Sequence, residues 1–187
     1  ATNGTGFAIA ERFAKEGYDV FIGSRNGDNS AAAAEEIHKK YGVFAKGYQT
    51  EIFNEENVKN IFEDIRSMGY LLDTLVLNAA NLGIGQVSLE VDVEEFMGVY
   101  NTNIGWNFMM ARQACLQMKE KGKGSIVFIT SNSALRVTEN RLAYCSSKSA
   151  ILAMSKSMAV DWGKYGVRSN CVLPGMIKTE RWHNNVN

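Results

Sequence analysis

Tyr144 and Lys148 stand four residues apart at the head of the apolar run AYCSSKSAILAMSKSMAVDW, residues 143–162. Side chains at that spacing meet on one face of a helix. A phenol beside an ammonium is equipped to pass a proton. An unassisted tyrosine, with a pKa of about 10, is ionised only about once per thousand molecules at neutral pH, and a cation one turn away favours the phenolate. The pair therefore suits general acid and base work at a carbonyl or alcohol oxygen. The spacing by itself also arises by chance in a chain with seven tyrosines, so the surrounding elements must supply the context.

Helix and strand patterns alternate along the chain, the signature of βαβ units and a parallel sheet. TGFAIAERFAKEG, residues 5–17, puts apolar residues at 7, 10, 13 and 14 before a glycine stop, which predicts a helix. YDVFIGSR then reads as a strand, NSAAAAEEIHKKYG as a helix and VFAKGYQ as a strand. NEENVKNIFEDIRSMG begins with a capping Asn54 and early glutamates, hence a helix. LDTLVLNAA is a strand running into a loop, and the spacing predicts one long helix over about 92–121. GSIVFITS is a buried strand, the Tyr144 segment a second long helix, and VRSNCVLPG a final strand. These elements predict a single domain over residues 1–187, built on one doubly wound (Rossmann) parallel sheet with helices on both faces. The chain opens without methionine inside a glycine-rich turn and ends just after a site-like loop, so a segment of a longer protein is expected, lacking the first and the C-terminal strand.

ATNGTG precedes the first helix. Glycines there let a pyrophosphate approach the unpaired amides and the positive end of the helix. The strand that follows ends in GSRN. At that place a carboxylate suits the free 2′-hydroxyl of NAD and a basic residue the 2′-phosphate of NADP. Ser24 and Arg25 stand there instead of an acid, which favours NADP as cofactor.

At this point the sequence resembles the short-chain dehydrogenase/reductase family, over essentially all 187 residues. That family's Asn, Ser, Tyr, Lys quartet falls on Asn103, Ser131, Tyr144 and Lys148, and its turn beside the nicotinamide on Pro174 and Gly175. The resemblance implies that Tyr144 is the general acid and base and that Lys148 assists it and holds the nicotinamide ribose. It implies that Ser131 donates to the substrate oxygen and that Asn103 holds a water that relays protons to the lysine. Cofactor contacts are implied at Gly4, Thr5, Gly6, Ser24, Arg25, Glu51, Asn78, Ala79, Tyr144, Lys148, Pro174, Gly175, Ile177 and Thr179. The implied reaction is hydride transfer between a secondary alcohol and a ketone, with hydroxysteroids, 3-oxoacyl thioesters and polyols as substrate classes. Family members pack their two long helices into homodimers or homotetramers, and the same is expected here. Three positions depart from the pattern: Ala80 replaces the last glycine of the usual Asn-Asn-Ala-Gly, Glu51 stands for an aspartate, and Trp106 sits where a glycine often follows the asparagine. Two other readings use the same residues: a dinucleotide-sensing protein without turnover, which predicts a damaged quartet, and a nucleotide-sugar epimerase or dehydratase.

Composition narrows the partners. Twenty basic side chains balance twenty acidic ones, so no net field draws the molecule to nucleic acid or anionic lipid. A small molecule is the expected partner, with no nucleic acid and no membrane. Cys115, Cys145 and Cys171 are widely spaced and form no CxxC pair, which argues against a disulfide framework and a metal site. No apolar stretch approaches the roughly 18 residues of a span, and a cytoplasmic location is expected. His38 and His183 read as surface residues, and Glu55, Glu56, Glu94 and Glu95 as helix N-terminal charges and not catalytic carboxylates.

Overall fold

The structure, a computed structural model, describes residues 1–83, 85 and 87–178. The chain divides into two compact units. One comprises Ala1–Ile52 with residues 176–178, the other Phe53–Gly175.

In the first unit α1 (Gly4–Lys15), β1 (Val20–Ser24), α2 (Gly27–Tyr41) and β2 (Ala45–Gln49) follow in order. β1 and β2 pair in parallel from Val20↔Ala45 to Ser24↔Gln49. Ala14, Val20, Ile22, Ala33, Ala34 and Ile37 form its core, with Phe7 and Phe13 packed against it. Each large aliphatic chain buried there contributes about 1.5–3 kcal/mol. Asn26 caps α2, its side chain accepting from the Asn29 N–H, worth about 1 kcal/mol.

The second unit holds α3 (Glu55–Ser67), β3 (Thr74–Leu77), α4 (Val93–Tyr100), α5 (Asn107–Lys121), β4 (Gly124–Ile129), α6 (Leu142–Trp162) and β5 (Val167–Val172). Its strands lie parallel in the order β3-β4-β5, with Leu75 opposite Ile126 and Phe128 opposite Cys171. Ile126 and Phe128 are fully buried, as are Val58, Val99, Ala111 and Ile151 from the helices.

Every strand and helix expected from the sequence is present, in a doubly wound α/β arrangement of parallel strands and crossover helices. The described strands hydrogen-bond as two ladders, β1-β2 in the first unit and β3-β4-β5 in the second. One feature differs from expectation. The expected helix over 92–121 is not uniform: between α4 and α5 the residues Asn101–Trp106 wind as a six-residue π-helix. Backbone bonds there skip one residue further than in an α-helix, widening the turn without leaving the helical path.

Candidate active site

The wide turn carries Asn103, which is fully buried. Its Oδ1 accepts from the Asn81 N–H at 2.8 Å, and its Nδ2 donates to the Asn81 carbonyl at 3.0 Å and to Ser147 Oγ at 2.9 Å. Ser147 passes its own proton to the Tyr144 carbonyl at 2.8 Å. Asn103 therefore ties the loop after β3 to the first turns of α6, and both protons of its amide are engaged. The Asn103 backbone carbonyl accepts from Asn107 Nδ2 at 2.8 Å. Gly105 completes the turn: a Cβ there would stand 2.3 Å from the Phe53 ring.

Tyr144 and Lys148 lie one turn apart on α6, 8 % and 2 % exposed. Lys148 Nζ sits 5.7 Å from the centre of the Tyr144 ring and donates to the Ile129 carbonyl at 2.9 Å, at the end of β4. Burial pushes the lysine amine down from its ordinary value to about 8, with the nearby Cys171 thiol a weaker, opposing influence. The helix is locked to the strand a second time, Thr130 Oγ1 donating to the Lys148 carbonyl at 3.0 Å. Ser131 follows β4 in an extended conformation, its Oγ accepting from the Ser133 N–H at 3.1 Å. The Asn132 N–H bonds to the Pro174 carbonyl at 2.9 Å, which holds the Pro174-Gly175 turn beside the serine loop. Gly175 has only the Asn132 side-chain nitrogen near its open side, 3.8 Å from where a Cβ would stand. Asn78 is half-buried and Ala79 exposed just beyond β3. The second unit thus gathers the quartet, Asn78, Ala79, Pro174 and Gly175 around the C-terminal ends of β3, β4 and β5, where ligands of parallel sheets bind.

In the first unit α1 begins at Gly4, which takes a positive φ of 54°. Gly6 is buried and Thr5 half-buried. Asn3 offers no side-chain cap, so the first amides of α1 keep the donor capacity that an anion would satisfy. Ser24 Oγ is engaged within its own turn, 2.7 Å from both the Asn26 carbonyl and Ser30 Oγ. Arg25 is exposed and, among the described residues, makes no ion pair. Glu51 is exposed just past β2, and Ile177 is 45 % exposed. Thr179 lies outside the described residues.

Three residues enter this picture that the sequence did not single out. Ser147 and Asn81 complete the Asn103 network, and Arg141, at the N-terminal edge of α6, places its guanidinium carbon 4.4 Å from the Tyr144 ring centre. None of the three belongs to a motif that the sequence displays, and Arg141 stands just outside α6 as its non-helical N-cap residue. No group of three metal-ligating side chains occurs among the described residues.

Comparison with known proteins identifies the family. A family model described as short chain dehydrogenase matches residues 1–187. The chain is 31 % identical over 180 residues to a 3-oxoacyl-[acyl-carrier-protein] reductase of Aquifex aeolicus, covering 96 % of this chain and 72 % of that protein. It is 32 % identical to a 7alpha-hydroxysteroid dehydrogenase of Clostridium sardiniense, covering 96 % of this chain and 69 % of the relative. Among solved structures, a 7α-hydroxysteroid dehydrogenase complexed with NADH and 7-oxo glycochenodeoxycholic acid superposes with a TM-score of 0.92 at 28 % identity, over all of this chain and 72 % of the other. L-Sorbose reductase from Gluconobacter frateurii, complexed with NADPH and L-sorbose, matches with a TM-score of 0.92 at 30 % identity, over 97 % of this chain and 68 % of the other.

Proposed function

The chain belongs to the short-chain dehydrogenase family, an oxidoreductase by that membership, and from that premise we propose that it interconverts a secondary alcohol and its ketone with NADP(H), Tyr144 serving as general acid and base. The observation that carries this reading is the buried pair on α6, Tyr144 with Lys148 one turn away. The reduced nicotinamide supplies the hydride for the carbonyl carbon when bound.

The chain's own residues do the rest. Tyr144 gives its phenolic proton to the carbonyl oxygen in reduction and takes it back in oxidation. Lys148 brings a positive charge beside the phenolate that this leaves, and its ammonium also serves the nicotinamide ribose. Ser131, at the open end of β4, donates to the substrate oxygen as negative charge develops. Asn103 holds α6 and the loop after β3 in register, keeping the tyrosine in place, and its π turn is where a relaying water would sit. The first amides of α1, with Gly4, Thr5 and Gly6, receive the pyrophosphate. Ser24 and Arg25 receive the 2′-phosphate, with Glu51 towards the adenine, while Asn78, Ala79, Pro174, Gly175, Ile177 and Thr179 complete the cofactor contacts. NADP over NAD is supported by the unpaired Arg25 guanidinium. The relatives' names keep hydroxysteroid, 3-oxoacyl thioester and polyol substrates in view. Self-association as a homodimer or homotetramer is supported by exposed apolar residues on the two long helices, Phe108, Leu116 and Val160.

The test is dinucleotide oxidation by the full-length protein against ketosteroids, acetoacetyl thioesters and keto sugars, with NADPH and NADH in parallel. Preferential NADPH oxidation with one substrate group is the expected result. Tight dinucleotide binding without turnover of any ketone contradicts the enzyme reading.

A further inference from the structure

Tyr144 and Lys148 share one face of α6, and Arg141, the non-helical N-cap residue, immediately precedes that helix. Two cations stand beside the Tyr144 ring, the Arg141 guanidinium carbon 4.4 Å from its centre and Lys148 Nζ 5.7 Å. The Arg141 backbone is fixed, its carbonyl accepting from the Cys145 N–H at 2.8 Å. The residue is half-buried, and its Nε is buried without a hydrogen-bond partner.

Neither cation is balanced. Among the described residues neither Arg141 nor Lys148 makes an ion pair. Glu139, two residues before Arg141, is exposed and pairs with neither, and Glu94 and Glu95 are exposed in the first turn of α4. Two uncompensated positive charges beside a proton donor, one with an orphaned donor group, form a place that an anion would complete. A guanidinium beside an aromatic ring can still present its terminal N–H groups, and that planar fork matches a carboxylate. Leu135 and Val137, 73 % and 77 % exposed, and Leu142, 46 % exposed, lie on the segment that leads into Tyr144 and offer contact to a short carbon chain.

We propose that Arg141 anchors an anionic group of the substrate, and that the substrate is a short-chain keto acid or the matching hydroxy acid, its carboxylate on the guanidinium and its reacting oxygen at Tyr144. The inference rests on the dehydrogenase reading and narrows it; the carboxylate is bound and undergoes no chemical change. Arg141 is then a specificity-determining residue.

The experiment compares acetoacetate with its ethyl ester, which share the ketone and differ in the anion. Calorimetric titration into full-length protein containing oxidised dinucleotide reads binding without requiring turnover. The expected result is that the acid binds about ten- to hundredfold tighter than the ester, that Arg141→Met brings acid and ester to equal affinity, and that Arg141→Lys retains part of the preference. Raising the ionic strength should weaken binding of the acid to the unaltered protein and not of the ester, a measurement that needs no variant to fold. Equal binding of acid and ester, or binding of the acid that is indifferent to both salt and Arg141→Met, would overturn the proposal. Acid-selective binding without NADPH oxidation would leave the anchor standing and remove the redox reading, so the two fail separately.

Discussion

In the proposed role, Lys148 would trade stability for chemistry. Its ammonium is buried on α6 with one carbonyl partner and no carboxylate, and its proton is held only to about pH 8. Below that pH the amine is charged in folded and unfolded chains alike and the burial cost, about 3 kcal/mol, is fully present. Between about 8 and the ordinary value of 10.5 the folded chain keeps the amine neutral while the unfolded chain still binds a proton. Stability attributable to this residue therefore rises with pH across that window. Lys148→Met should abolish turnover yet raise the melting temperature by several degrees at pH 7, since about 1–2 kcal/mol remains after the lost bond to Ile129. Thermal denaturation beside an activity assay checks both halves; a variant that melts lower would show that the charge is not a burden. The free enzyme's kcat/KM should also fall with a limb near pH 8 as the ammonium is lost. Arg25 offers a second residue-level check. Arg25→Asp should turn a preference for NADPH into one for NADH by roughly ten- to hundredfold, read from kcat/KM for the two dinucleotides; an unchanged ratio would place the 2′-phosphate elsewhere. The Tyr144 and Lys148 spacing was visible in the sequence itself, whereas Asn103 and Ser131 became candidates only through the family resemblance. Arg141 could not be read there, because a cation that approaches a tyrosine from the residue before the helix belongs to no motif.

At the level of elements, the π-helical stretch Asn101–Trp106 is the feature that a linear reading misses. The apolar and polar pattern over 92–121 fits an unbroken helix, and a shift of backbone bonding by one residue leaves that pattern almost unchanged. What holds the wide turn is tertiary: Asn103 bonds to both backbone groups of Asn81 and to Ser147. Those partners lie 22 and 44 residues away, beyond the reach of any local signal. Asn103→Ala should leave these buried groups unsatisfied and cost about 2–4 kcal/mol. It should lower kcat by more than about tenfold while affinity for the dinucleotide changes little, because the tyrosine is displaced and the cofactor contacts are not. Urea denaturation and dinucleotide titration separate the two effects; loss of dinucleotide affinity equal to the loss of kcat would show a general collapse of the unit instead. Helices and strands themselves were legible because their signals are local: Asn54 caps α3 where expected, and Gly42 ends α2 with a φ of 71°.

For the molecule as a whole, the alternation of elements was enough to identify a parallel α/β fold, whereas the grouping of strands into the ladders β1-β2 and β3-β4-β5 was not. Strand order depends on pairings across 25 residues or more, such as Val20 with Ala45 and Thr74 with Ser125, and no residue type records its partner. The even charge balance accords with a small-molecule substrate without selecting one; no helix among the described residues is long and apolar enough to cross a membrane. The central claim is hydride transfer to a carbonyl with Tyr144 as the proton donor, and the most direct measurement follows the hydrogen itself. Full-length protein is given NADPH carrying deuterium on the transferable position together with the ketone it accepts, and the alcohol formed is weighed by mass spectrometry. The account predicts deuterium on the carbinol carbon with the unaltered protein, and product formation lowered by a factor of about a thousand or more in Tyr144→Phe. Alcohol formed without deuterium, or formed at an unchanged rate by Tyr144→Phe, would contradict it.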